Sequence, residues 1–154
     1  MRLSTKSRYG VRALFDIAYN SPHHPAQIQD ISRRQQISPR YLEQIFQSLK
    51  KKGILKSKRG PQGGYILAKK PEDSTIKDII HATEGDVLLV ECVPSKKKKT
   101  DCTFSGVCVT QSIWKEASLK LDEHFSKITL KDLCENGQSL GVKREQDHRF
   151  VYYI

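Results

Sequence analysis

Leu42, Ile45, Phe46 and Leu49 recur at i, i+3, i+4 and i+7 and make the clearest helical stripe in the chain. Ser38 and Pro39 stand where an N-cap and a first helical residue belong. Lys50, Lys51 and Lys52 suit the negative end of the helix dipole, and Gly53 suits the position just past the end. Upstream, Ser4 or Thr5 caps a helix to about Tyr19 with Ala13, Leu14, Ile17 and Ala18 on one face. Asn20-Ser21-Pro22 ends that helix, and Pro22-His23-His24-Pro25 reads as a loop. A shorter helix, Ala26 to Gln35, turns Ile28 and Ile31 inward. Two short helices joined by the tight turn Gln36-Ile37 predict a helix-turn-helix.

Alternation then replaces helical spacing. Ile54 to Arg59 is a strand with a basic limb, Gly60-Pro61-Gln62-Gly63-Gly64 is a turn, and Tyr65 to Ala68 is the returning strand. A hairpin at this position is the wing of a winged helix. Its glycine tip lacks the Lys-Ser/Thr ending of a phosphate-cradling P-loop and opens onto a strand, which argues against nucleotide binding. Farther on, Thr75-Ile76-Lys77-Asp78 resembles a capping box for a helix ending near Gly85, and Val87 to Val90 is a short apolar run. From Val109 to about Ile128 a long helix carries Ile113, Ala117, Leu121, Phe125 and Ile128 in one stripe, flanked by Trp114. Thr129 to Asn136 forms a last helix, with Cys134 expected as a small buried residue. The fold class is therefore mainly α with a small β-hairpin: a winged helix-turn-helix followed by a long dimerisation helix. The expected division is DNA-binding residues 1–84, a cysteine-containing sensor loop 85–108, a helical dimerisation region 109–140 and a tail 141–154.

Charge narrows the function. The net charge is +10 over 154 residues, but residues 1–70 hold 15 Lys/Arg against 3 Asp/Glu, whereas residues 71–154 hold 12 against 14. A cationic N-terminal half attracts the phosphates of double-stranded DNA. Arg2, Lys6, Arg8 and Arg12 lie mostly off the apolar face of the first helix and are expected to be available for that purpose. Near the start of the third helix, Arg40, Glu43 and Gln44 are side-chain types that read guanine, cytosine and adenine edges. No apolar run approaches the ~20 residues of a membrane span, and MRLSTKSRYG does not lead into a secretory signal. The expectation is a cytoplasmic protein without a membrane partner.

The candidate chemistry lies in ECVPSKKKKTDCTFSGVC, where the three thiols are spaced Cys92-x9-Cys102-x5-Cys108. A stretch this polar offers the three thiols no apolar core of its own. Thiolates bind soft metals or undergo redox chemistry, so the cluster calls for iron–sulphur, zinc or a bare thiol switch. A thiol or metal enzyme is the outside class; no CxxC pair or evident catalytic base accompanies the cysteines, and no catalytic residue is assigned. His23 and His24 read better as a polar loop than as metal ligands, and His81, His124 and His148 each stand alone in the sequence and read as structural or exposed.

The opening MRLSTKSRYGVRAL, the block Tyr41-Leu42-Glu43-Gln44, the wing Arg59-Gly60-Pro61-x-Gly63-Gly64-Tyr65 and the three cysteines together resemble the iron–sulphur cluster regulator IscR and its relatives, over about residues 1–135. The resemblance implies a homodimeric transcription regulator, read as a repressor. It implies major-groove contacts from Ser38, Arg40, Tyr41, Glu43 and Gln44, and wing contacts from Arg59 and Gly60. It also implies a 2Fe–2S cluster on Cys92, Cys102 and Cys108 and, as targets, genes for iron–sulphur cluster assembly. Nitric-oxide sensing or thiol redox sensing through the same cysteines is the alternative. Arg8 stands where the nitric-oxide sensors tend to have an acidic ligand, and members controlling cysteine metabolism lack the cysteines. Two departures stand out. The interval from Cys92 to Cys102 is longer than usual, and Gln111 stands where the family places its histidine ligand. Candidates for the fourth ligand are Gln111, Asp101, Glu84, Glu91, an N-terminal group of a partner chain, or an external thiol or water.

Overall fold

The computed structural model describes residues 3–90, 92–93, 102–104 and 106–145. The expectations for Arg2, Glu91, Asp101, His148 and the apolar end Phe150 to Ile154 lie outside the described residues. Within them the chain runs α1 (Thr5–Asn20), α2 (Ile28–Gln35), α3 (Pro39–Lys51), β1 (Leu55–Lys58), β2 (Gly64–Leu67), a 3-10 turn (Pro71–Asp73), α4 (Ile76–Thr83), α5 (Gln111–Ser126) and α6 (Leu130–Ser139). This is the mainly helical architecture with one antiparallel hairpin that the apolar pattern predicts.

Helices α1, α3, α4 and α6 begin where a side chain satisfies free N–H groups, whereas among the described residues Gln27 and Thr110 give α2 and α5 no such side-chain bond. Ser4 Oγ accepts from Ser7 N–H at α1, and Ser38 Oγ accepts from Tyr41 N–H at α3. The capping boxes Thr75–Asp78 and Thr129–Asp132 open α4 and α6. These two helix starts lie side by side: Ile76 N–H donates to Ile128 O and Leu130 N–H to Ser74 O, both at 2.9 Å. Leu130, fully buried, thereby joins Leu14, Ile17, Ile31, Leu42, Ile45, Phe46, Leu49, Ile79 and Ile80 in one core.

Two local features differ from the expected pattern. The second helix starts at Ile28 rather than Ala26, because Ala26 is recruited as a bridge against β2. Ala26 N–H donates to Tyr65 O at 2.9 Å and Tyr65 N–H to Ala26 O at 2.8 Å. The hairpin is thereby hydrogen-bonded to the segment preceding α2. Gly64, at φ 151°, permits this approach: a Cβ there would stand 2.3 Å from Ala26 O. The turn between α2 and α3 is made by Gln36, a non-glycine residue in the left-handed region at φ 54°. Its side-chain Nε2 donates to Arg33 O at 2.7 Å, and Ile37 plugs into the core.

The long helix is shorter than its periodicity suggests, starting at Gln111 and not Val109. Residues 142–145 run back over the N-terminal helices. Tyr19 OH donates to Val142 O at 2.7 Å, Glu145 N–H donates to Asn20 Oδ1 at 2.9 Å, and the Arg144 guanidinium lies 4.8 Å from the Tyr19 ring centre. The Glu145 carboxylate contacts Arg33 and lies 3.8 Å from Arg34 Nη1.

Candidate nucleic-acid interface and sensor segment

Helix α3 buries its Leu42, Ile45, Phe46 and Leu49 stripe, and geometry then forces the intervening positions outward. Arg40, Glu43, Gln44 and Gln47 are exposed, as their places in the sequence predict. Tyr41 is half-buried and meets Tyr9 edge-on with ring centres 5.9 Å apart, so it is held as much by α1 as by solvent. Ser38 is exposed while its oxygen caps the helix, which leaves its O–H free to donate outward.

The hairpin stands beside this helix. Leu55, Lys56, Ser57 and Lys58 pair with Leu67, Ile66, Tyr65 and Gly64, and the Tyr65 ring packs on Phe46 at 4.6 Å. Lys50 Nζ donates to Ser57 Oγ at 3.0 Å and ties the end of α3 to β1. Arg59 and Gly60 are exposed at the tip. Basic side chains from α3 and the hairpin therefore share a surface whose aromatic and hydrogen-bonded footing fixes its shape.

One of the cations expected to be available also has partners within the chain. Arg12 bonds Gln35 through Nε, at 3.3 Å from Oε1, and through Nη2 to the backbone carbonyl, and it sits 5.3 Å from the Tyr9 ring centre. It braces α1 against the end of α2 while remaining at the surface. Arg8 is exposed and Lys6 half-buried. Asp16, fully buried, accepts from Arg34 Nε at 3.0 and 3.1 Å, from Arg34 Nη2 at 2.7 Å and from Gln35 Nε2 at 2.9 Å. Burial opposes the Arg34 charge, yet the bonds and charge of Asp16 hold its pKa above the ordinary arginine value. An acid and an arginine eighteen residues apart carry no local signal of pairing.

The structure sets the three cysteines on the segment leading into α5. Cys92, Cys102 and Cys108 are all half-buried and unpaired with one another. Among the described residues no three His, Cys, Asp or Glu side chains converge on a common point. The donors nevertheless fit a soft metal group in kind, because they are thiols. The Cys108 thiol is 3.3 Å from Thr110 Oγ1, and that hydroxyl and the Thr110 backbone pull its pKa below the ordinary thiol value. Cys134, by contrast, is half-buried in α6, and burial pushes its thiol up.

Of the candidate fourth donors, Glu84 is committed elsewhere. Its Oε1 accepts from Ser4 N–H at 2.8 Å and Ser4 Oγ at 2.6 Å. Burial pushes its pKa up, but hydrogen bonds from Ser4 and Ser7 prevail and hold it down. Gln111 uses its amide to donate to Cys92 O at 3.2 Å. Leu89 N–H donates to Ser118 Oγ at 3.2 Å, so the segment entering Cys92 is attached to α5 at a second place.

His81 has a structural role, and its partner lies far off in the sequence. Its Nε2 lies 2.8 Å from Asp122 Oδ1, and Lys77 Nζ lies 2.5 Å from Asp122 Oδ2. Burial raises the Asp122 pKa, but the bonds and charges of Lys77 and His81 outweigh it and hold the carboxyl low. This polar triad bolts α4 to α5. Helix α5 leaves Ile113 59%, Leu119 58% and Trp114 41% exposed, interspersed with exposed Lys115, Glu116 and Lys120.

These features agree with comparisons to known proteins. The Rrf2 family, described as "Iron-dependent Transcriptional regulator", matches residues 3–136. The chain is 39% identical to the HTH-type transcriptional regulator IscR of Enterobacter sp. (strain 638), over 96% of this chain and 89% of that protein. It is 36% identical to the IscR of Photorhabdus laumondii, over 96% and 88%. Among solved structures, T. potens IscR superposes with a TM-score of 0.73 at 34% identity, covering 98% of this chain and 97% of that one. CymR, the global cysteine regulator of B. subtilis, gives 0.71 at 29% identity, covering 88% and 98%. Sequence, fold and relatives agree that the chain belongs to the Rrf2 family of iron-dependent transcription regulators and is a DNA-binding winged-helix member of it.

Proposed function

We propose that the protein is a cytoplasmic, homodimeric repressor without catalytic activity that senses iron–sulphur status through Cys92, Cys102 and Cys108 and controls iron–sulphur cluster assembly genes. The observation that carries this reading is the attachment of the cysteine segment to α5. Cys108 O accepts from Gln111 N–H at the first residue of the helix, and Leu89 is bonded to Ser118 two turns along. The three thiolates would hold a 2Fe–2S cluster, which when bound supplies a link between them sensitive to iron supply and oxidation. Ligation shortens the reach of the segment, and the segment is hydrogen-bonded to the helix that separates two reading heads. DNA affinity responds only to the extent that ligation favours one spacing over another.

A second copy of the chain is the natural cover for Ile113, Leu119 and Trp114, because a two-fold pairing of α5 places two α3 helices on a symmetric operator. On each head Ser38, Arg40, Tyr41, Glu43 and Gln44 face the major groove, and Arg59 and Gly60 approach the backbone or minor groove. Replacing Arg59 by Ala is expected to weaken operator binding about tenfold and to lower the salt slope of log K by about 1, with metal content unchanged. Gel shifts across a salt series check this; loss of metal together with DNA binding would mean the wing assignment is wrong.

Anaerobically reconstituted wild type is expected to show a visible chromophore with stoichiometric iron and sulphide, and Cys92→Ala to lose it and to bind operator differently. Identical DNA binding and no chromophore in either protein would overturn the sensor reading. A metal-free thiol switch is the second reading, favoured by the Thr110 hydroxyl 3.3 Å from the Cys108 thiol, where it can donate to a thiolate. It is distinguished by a DNA affinity that follows peroxide or dithiol treatment in iron-free protein.

A further inference from the structure

Gln111 touches both ends of the cysteine segment. Its backbone N–H donates to Cys108 O at 3.2 Å and its side-chain Nε2 donates to Cys92 O at 3.2 Å. Few side chains can do this. The position must lie in the first turn of α5, and the side chain must be long enough to reach back and must end in a donor. A carboxamide meets these demands, and it is a weak ligand for iron beside thiolate or imidazole. Gln111 is half-buried, which shields the bond from competing water.

We propose that Gln111 is a positioning residue: it clasps the two ends of the Cys92–Cys108 segment to the first turn of α5 and so fixes the separation of the first and third thiols, without itself ligating metal. The inference rests on the sensor reading for its purpose but not for its geometry. Ser118 provides the second anchor, since its Oγ accepts from Leu89 N–H at 3.2 Å while donating to Trp114 O at 2.8 Å. The chain entering Cys92 is therefore pinned at Gln111 and Ser118, about two helical turns apart. With both ends pinned, the entropy of bringing Cys92 and Cys108 to the same helix turn is already spent before any ligand arrives. Donors arranged in advance bind more tightly and release more slowly than donors that must be gathered.

Three variants decide the matter. Gln111→Ala removes the donor. Gln111→Glu replaces it with a carboxylate, which can bond iron but repels the Cys92 carbonyl. Gln111→His offers an imidazole ligand. In metal-free protein, hydrogen exchange of peptides spanning 86–93 and 108–114 is expected to quicken roughly fivefold in Gln111→Ala, while α1 to α3 exchange as in wild type and Tm moves little. In anaerobically reconstituted protein, both Gln111→Ala and Gln111→Glu are expected to lose their visible absorption to EDTA several-fold faster than wild type. Gln111→His is expected to slow that loss and to shift the spectrum.

Unchanged exchange in metal-free Gln111→Ala would overturn the clasp. A Gln111→Glu protein that holds its chromophore as long as wild type, when Gln111→Ala does not, would show instead that the position ligates. If wild type takes up no chromophore, the sensor reading fails while the exchange experiment still decides whether the clasp exists.

Discussion

Replacing Arg34 with methionine is expected to cost about 3–5 kcal/mol of folding stability, read from urea unfolding at neutral pH. The reason is what the substitution leaves behind. Asp16 is fully buried on α1, and Arg34 supplies three of the four hydrogen bonds described on its carboxylate. Methionine keeps much of the apolar stem of arginine and removes the fork, so the loss reports the stranded charge and not a cavity. The remaining donor, Gln35 Nε2 at 2.9 Å, cannot neutralise it. A second variant, Asp16→Leu with Arg34→Met, is expected to recover most of the stability, because removing both charges together strands neither. A loss under 1 kcal/mol for Arg34→Met, or no recovery in the double variant, would mean that Asp16 is hydrated and the pair is peripheral. The stake goes beyond stability, since this pair sets how α2 lies on α1, and α2 leads directly into α3.

What could be read without coordinates was what is written locally. The α3 stripe, the caps at Ser4, Ser38 and Thr75, and the hairpin with its basic limb all emerge where residues within a few positions impose them. Gly53 likewise sits at φ 67° just past the third helix, as its place after three lysines suggests. The reading was incomplete where polar side chains answer to tertiary neighbours. Arg12 looked free because its partner is on α2; His81 looked alone because Asp122 is on α5, forty-one residues away. Ala26 has a helical residue's propensity, yet the approach of β2 claims its backbone. Gln36 reaches the left-handed region without being glycine, and Ile37, fully committed to the core, explains why the turn closes there. At the cysteine segment, spacing identified the thiols, while the amide of Gln111 and the hydroxyl of Ser118 that attach the segment to α5 gave no sign.

These attachments make a continuous path from the cysteines to α3. The segment is bonded to α5 through Gln111 and Ser118, α5 to α4 through Asp122, and α4 to α1 through Glu84 on Ser4 and through Ser7 on Thr83 at 2.8 Å. Helix α1 in turn holds α2 through Asp16 and meets α3 at the Tyr9–Tyr41 contact. Such a path transmits a change only if one of its joints has two arrangements. The joint between the cysteine segment and α5 is the candidate, because among the described residues it rests on the bonds of Gln111 and Ser118 and its ends carry the thiols.

Gly64→Val is expected to lower stability by about 2–4 kcal/mol and to weaken operator binding at least tenfold at fixed salt, by loss of a backbone fit rather than of any DNA contact. A Cβ at this position would lie 2.3 Å from Ala26 O and 2.8 Å from Ala26 C, and neither atom can swing aside as a side-chain tip could. The backbone is also at φ 151°, where an L side chain is strained and a β-branched one more so. Relief requires parting β2 from Ala26, which breaks the paired bonds with Tyr65 and tilts the hairpin away from Phe46. Gly53→Ala provides the comparison. That glycine is also at positive φ but has nothing within 4 Å, so only the conformational cost remains, about 1 kcal/mol. Urea unfolding and gel shifts on both variants separate the two effects. If Gly64→Val proves as mild as Gly53→Ala, the Ala26–Tyr65 bridge is dispensable, and the hairpin is held by its own pairing and Phe46. If it proves severe in DNA binding but mild in stability, the bridge serves to aim Arg59 rather than to hold the fold. A loss in both is expected, because the bonds that aim the hairpin also join it to the start of α2.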